Sequence, residues 1–91
     1  MQNPKCHVVG VVLRLAGAGG GRVSTRTVED RYPKNVAGTS AANAVSRACA
    51  DLDFLDRNGR GICIPSGYGA DVTRFLRNEC QGKYAVLKRH L

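Results

Sequence analysis

Ninety-one residues confine this chain to one domain with a thin core, and the lack of Trp leaves Val, Leu, Ile and Ala to build it. At 43% hydrophobic and 23% charged it is not a disordered polyelectrolyte, and no apolar run approaches membrane-spanning length. Fourteen Lys and Arg against seven Asp and Glu, a net charge of +7, favour a polyanionic partner, because each cation set against a phosphate releases condensed counterions. Arg outnumbers Lys among these cations and suits bidentate phosphate and guanine contacts better.

Residues 6–18 read as a helix. Val8, Val12 and Leu15 form one line and Val9, Leu13 and Ala16 the next, giving one wall of a core, with Pro4 acceptable at the start. Lys5, the apolar run and Ala16-Gly17-Ala18 imitate a secretory signal, but Arg14 interrupts the run after six residues, so none is expected. The glycine-rich stretch 17–21 ends the helix; it matches neither phosphate-loop nor dinucleotide-binding spacing. Arg22-Val23-Ser24 predicts a short extended pairing. Ser24 or Thr25 then caps a second helix ended by Pro33, with Val28 and Tyr32 inward.

After a connector over 33–38, Thr39 or Ser40 caps a third helix over about 40–52. Ala41, Val45, Ala48 and Leu52 form its inner stripe; Thr39, Asn43, Ser46, Arg47 and Ala50 form a small, polar outer face. Asn58-Gly59 predicts a two-residue type I′ turn between two strands. That register sets Arg57 against Arg60 and Leu55 against Ile62, with Leu55, Ile62 and Ile64 inward and the two arginines outward at the tip. Pro65 ends the hairpin. Asp71 then caps a helix carrying Val72, Phe75 and Leu76, Gly82 interrupts it, and Tyr84, Leu87 and Leu91 continue a helical line. One bent helix and two separate ones are both compatible with this pattern.

The four cysteines form no C-x-x-C pair, and neither His7 nor His90 stands at zinc-finger spacing. The expectation is free, mostly buried thiols in a reducing compartment, with no metal and no cofactor. The carboxylates are scattered and the two histidines lie at opposite ends, so no enzyme activity is expected.

Three successive pieces, RVSTRTVEDRYP, TSAANAVSRACADL and FLDRNGRGICIP, resemble a winged helix-turn-helix domain. The resemblance covers about residues 7–65 and is one of pattern. It implies an α+β fold with a three-helix core and a β-hairpin wing (about 6–65 of a single domain, 1–91), to which the periodicity of the last residues adds a C-terminal helical extension over about 69–91. It also implies double-stranded DNA binding, with residues 40–52 as recognition helix and about 54–64 as a basic wing. Asn43 and Arg47 would read base edges, Thr39, Ser40 and Ser46 would bond phosphates or bases, and Arg57 and Arg60 would meet the backbone or minor groove. The expected role is transcription regulation in the cytoplasm at the nucleoid, with homodimerisation through residues 72–91. The alternatives are an architectural or replication-associated DNA binder with little sequence preference, or a protein-interaction module. The connector over 33–38 is longer than the simplest helix-turn-helix turn, and residues after Ser66 have no necessary counterpart in that family.

Overall fold

The side chain of Asn3 accepts the Lys5 N–H at 3.0 Å and Pro4 occupies the first turn, so a helix begins where the chain has both a cap and a preset φ. The computed structural model describes residues 3–33 and 39–91; the connector expected over 33–38 falls, apart from Pro33, outside the described residues. Helix α1 (Pro4–Ala16) ends at Gly17, whose φ of 70° few other residues adopt and whose N–H returns to the Leu13 carbonyl at 2.9 Å. Strand β1 (Val23–Ser24) and helix α2 (Thr25–Asp30) follow, the latter capped by Ser24, which accepts the Thr27 N–H at 3.3 Å. Helix α3 (Ala41–Asp51), strands β2 (Asp56–Asn58) and β3 (Gly61–Cys63), helices α4 (Gly69–Glu79) and α5 (Gln81–Leu87), and a 3₁₀ turn (Lys88–His90) complete the order. Among the described residues the fold is α+β: five α-helices and an antiparallel three-stranded sheet in the order β1-β3-β2.

Every residue of α1 from Cys6 to Leu13 is buried. The two apolar rows predicted one wall; the structure makes α1 the middle of the molecule, packed on α3, the sheet and α5. Leu15, expected inward, is 43% exposed. A Cβ on Gly10 would stand 3.5 Å from Leu87 Cδ1, so the missing side chain marks where α5 settles onto α1. Val28 and Tyr32 face the core as expected, with Ala44, Val45 and Ala48 of α3.

The hairpin differs from expectation by one residue per strand. Asn58 pairs Gly61, Arg57 pairs Ile62 and Asp56 pairs Cys63, so the turn residues are Gly59 and Arg60, not Asn58 and Gly59. A type I′ turn needs positive φ at both central positions; here Gly59 has φ of 59° and Arg60 does not, the pattern of a type II′ turn with Gly first. Leu55, Ile62 and Ile64 are still buried. Arg57, however, shares the inner face of the sheet with Ile62, which aims it at the helices.

The C-terminal segment is two helices. The break lies at Cys80 (φ −123°, ψ 37°) rather than at Gly82, which sits inside α5. Tyr68, not Asp71, takes the N-cap position of α4, and Asp71 instead pairs with Arg74 at 3.4 Å in the first turn. Val72, Phe75, Leu76 and Leu87 are buried in this chain's own core, and Phe75 meets Phe54 edge-on at 5.7 Å between centroids. The apolar line offered for dimerisation therefore closes the domain itself, leaving Val86 (47% exposed) and Leu91 (43%) outward. Among the described residues no helix is long and apolar enough to cross a membrane.

Cys6 and Cys80 form a disulfide across 74 residues, while Cys49 and Cys63 are free. This corrects the expectation of four free thiols. Spacing could not reveal the pair, because only the break at Cys80 brings that residue to the first turns of α1. Disulfides persist mainly in oxidising compartments, so the bridge removes the thiol argument for a reducing one. Closing so long a loop stabilises the fold by about 4 kcal/mol on chain entropy.

Two outcomes test this packing. Peptide mapping without reductant should recover Cys6 and Cys80 in one linked species, and reduction should lower unfolding free energy by about 2–4 kcal/mol. Gly10→Ala should be neutral or gain up to about 1 kcal/mol, since its Cβ makes only ordinary contact and helix propensity improves. Gly10→Val should instead lose about 1–3 kcal/mol by overpacking Leu87, and urea titration of the pair reads the difference.

Candidate nucleic-acid interface

Helix α3 begins because the Ser40 hydroxyl accepts the Asn43 N–H at 3.2 Å, which uses the oxygen of one predicted contact residue as a cap. With Ala44, Val45 and Ala48 inward, the 3.6-residue period leaves Ala42, Asn43, Ser46, Arg47 and Ala50 exposed on one face. Ala42, Ser46 and Ala50 succeed one another at i, i+4 and i+8, so the middle of this face is a strip of small side chains. Another surface can approach such a strip closely. Asn43 and Arg47 stand beside it, and Thr39 is half-buried just before the cap.

The hairpin completes the surface. From the inner face of the sheet Arg57 reaches past its rim, and its Nη1 donates to Ser46 Oγ at 3.4 Å. Cys49 lies near Arg57 and Asp56; burial is the main cause of its raised pKa, so it is not an activated thiolate. Arg60 occupies the second turn position and its carbonyl accepts the Thr25 N–H at 2.7 Å, which fixes the hairpin tip against the start of α2.

Between them lies a cleft of about 400 Å³ whose walls include Ser24, Arg26, Glu29, Arg57 and Arg60. Sequence reading missed Arg26 and Ser24 as interface residues. Ser24 pairs Gly61, and that single β1–β3 step carries α2 to the hairpin tip. The extended character of residues 22–24 was legible; its partner strand was not.

Two carboxylates near this surface are paired with cations lying off it, while Glu29 stays on the cleft wall. Asp51, at the end of α3, pairs with Lys5 at 3.0 Å, and Asp56 pairs with Arg22 at 3.1 Å. Among the described residues, Arg26, Arg47, Arg57 and Arg60 have no carboxylate within salt-bridge distance. The structure thus joins Ser40, Asn43, Ser46, Arg47 and Arg57 on one continuous face, with Arg60 across the cleft beside Arg26.

The other titratable cluster belongs to the core. His7 Nδ1 is 3.0 Å from Lys83 Nζ, and its ring meets Tyr32 edge-on at 5.8 Å. An ammonium only donates, so His7 is neutral with its proton on Nε2. Burial, then Lys83 and then Arg14 lower the His7 pKa below 6.5, burial followed by Arg14 lowers that of Lys83, and burial raises that of Tyr32. No group of three or more His, Cys, Asp or Glu among the described residues is placed to hold a metal ion.

The sign of the pH effect follows. With the folded-state pKa of His7 depressed, the unfolded chain binds more protons below about pH 6.5. The contribution is fully present above the unfolded pKa and is lost as pH falls through the window down to the folded value. Urea midpoints between about pH 7.5 and about pH 5 should fall for the wild type, with a smaller pH slope in His7→Phe.

Comparison with protein-family models, with curated proteins and with solved structures gives no match for this chain.

Proposed function

We propose that this protein is a winged helix-turn-helix domain that binds double-stranded DNA, with α3 as recognition helix and the β2–β3 hairpin as wing. The element order α1-β1-α2-α3-β2-β3 and the sheet order β1-β3-β2 are consistent with that layout. The observation that carries the reading is the Arg57–Ser46 contact, which makes hairpin and helix face one surface whose arginines are free of carboxylates. In this reading the small strip of Ala42, Ser46 and Ala50 lets α3 sit deep in the major groove. Asn43 meets adenine and Arg47 meets guanine, the pairings their donor and acceptor geometry permits. Thr39 and the exposed hydroxyls of Ser40 and Ser46 bond phosphates, while Arg57 and Arg60 hold the backbone or enter the minor groove.

Only Asn43 and Arg47 on that face discriminate bases well. That supports a second reading, an architectural or replication-associated binder with little sequence preference, over a dedicated transcriptional regulator of high specificity. A protein-docking role for the same face is the remaining alternative. Pairing of two copies, as a regulator on a palindrome requires, would draw on the outward apolar residues Leu15, Val86 and Leu91.

Selection from a random duplex pool at about 150 mM salt separates these readings, since a specific regulator enriches one site by about 10³ or more. An enriched palindrome shows specificity and pairing together; no enrichment with retained duplex binding supports the architectural role. The combined variant Arg47→Glu, Arg57→Glu, Arg60→Glu should lose duplex binding. The salt dependence of wild-type affinity should have a log–log slope of about −3 or steeper from these three cations. Wild-type affinity in the triple variant would remove this surface from the interface.

A further inference from the structure

We propose that the cleft between α2 and the hairpin turn is a binding site for a tetrahedral oxyanion of the phosphate class, gripped by Arg26, Arg57 and Arg60. The three arginines come from three different elements, α2, β2 and the turn, yet line one cleft of about 400 Å³. Gathering like charges is unfavourable unless an anion joins them. The sole acid on the walls is Glu29, and no carboxylate lies within salt-bridge distance of any of the three among the described residues. Guanidinium forks match phosphate oxygens in pairs, so three arginines on the walls of one cleft can close around one tetrahedral group.

Two hydroxyls add to this. The Ser24 oxygen takes the Thr27 N–H, which leaves its proton to donate. Thr25 also lines the cleft, and its buried Oγ1 has no hydrogen-bond partner. Buried hydroxyls are nearly always satisfied, so Thr25 Oγ1 is a hydrogen-bonding group left over beside the cleft. The cradle is held before any ligand arrives. Ser24 pairs Gly61 in the sheet, and the Thr25 N–H is bonded to the Arg60 carbonyl at 2.7 Å. The backbone is thus set in advance, and what a ligand orders is the three exposed arginine side chains.

The anion has two available sources, a nucleic-acid phosphodiester or free phosphate, and the first rests on the DNA-binding function proposed above. Titration of the ¹⁵N-labelled protein with inorganic phosphate should shift the amides of residues 24–26 and 57–61 together, with saturation. Arg26→Ala should weaken that binding at least about fivefold, and Glu29→Gln should tighten it, because it removes the opposing charge. Glu29→Gln also guards against a trivial loss of fold, since its effect is a gain.

Duplex DNA forms the second arm. If the source is a phosphodiester, Arg26→Ala lowers the salt slope by about one. If Arg26→Ala loses inorganic phosphate but keeps wild-type duplex affinity, the cleft is a free-phosphate site and the proposal stands without the DNA reading. Arg47 lies outside the cleft, so loss of duplex binding in Arg47→Glu with phosphate shifts intact shows the two surfaces acting separately. Phosphate shifts scattered over all arginines and unchanged by Arg26→Ala, together with an unchanged duplex slope, would overturn the proposal.

Discussion

The burial of α1 on every side is the constraint on which the rest of the molecule depends. Eight successive residues from Cys6 to Leu13 are withdrawn from water, so no single layer of neighbours suffices. One side is covered by α3 and the sheet, another by α5, with Leu87 seated where Gly10 has no side chain. A chain of ninety-one residues has little surface to spare, and here the C-terminal helices complete the core that the first two thirds leave open. The Cys6–Cys80 bridge sits at the junction of those two parts and holds the covering helices to the helix they cover.

That arrangement determines how charge is distributed. Because α4 and α5 complete the core, the outer face of α3 owes nothing to stability and is left small and polar. Two acids near that face, Asp51 and Asp56, are paired with Lys5 and Arg22, which sit off it. Each surface ion pair adds little stability by itself, so their clearer consequence is electrostatic: beside Arg26, Arg57 and Arg60 they leave Glu29 as the acid on the cleft wall.

Local chemistry was readable where one residue decides the outcome. The caps at Ser24 and Ser40, the stop at Gly17, the inward stripe of α3 and the exposure of Asn43, Ser46 and Arg47 all depend on neighbours within four positions. The hairpin register was not readable, although a turn there was. Asn58-Gly59 favours a type I′ turn locally, but Gly59-Arg60 satisfies a type II′ turn equally well. The choice falls to pairing with β1, where Val23 must oppose Ile62. One step of register moved Arg57 from an expected position at the tip to a contact with Ser46, and so changed the candidate site.

By itself the sequence determined the net charge and the location of most helices, because capping side chains and apolar periodicity act over short range and charge sums over the whole chain. Tertiary structure alone decided the disulfide, the two-sided burial of α1, the inward use of the 72–87 apolar line, and the meeting of Arg26 with the hairpin. Each of these joins residues far apart in the chain, and composition carries no information about which distant pairs meet. The distances follow from backbone pairing and from where the core must be closed. Pairing Ser24 with Gly61 and seating Leu87 on Gly10 are the two placements from which the others follow.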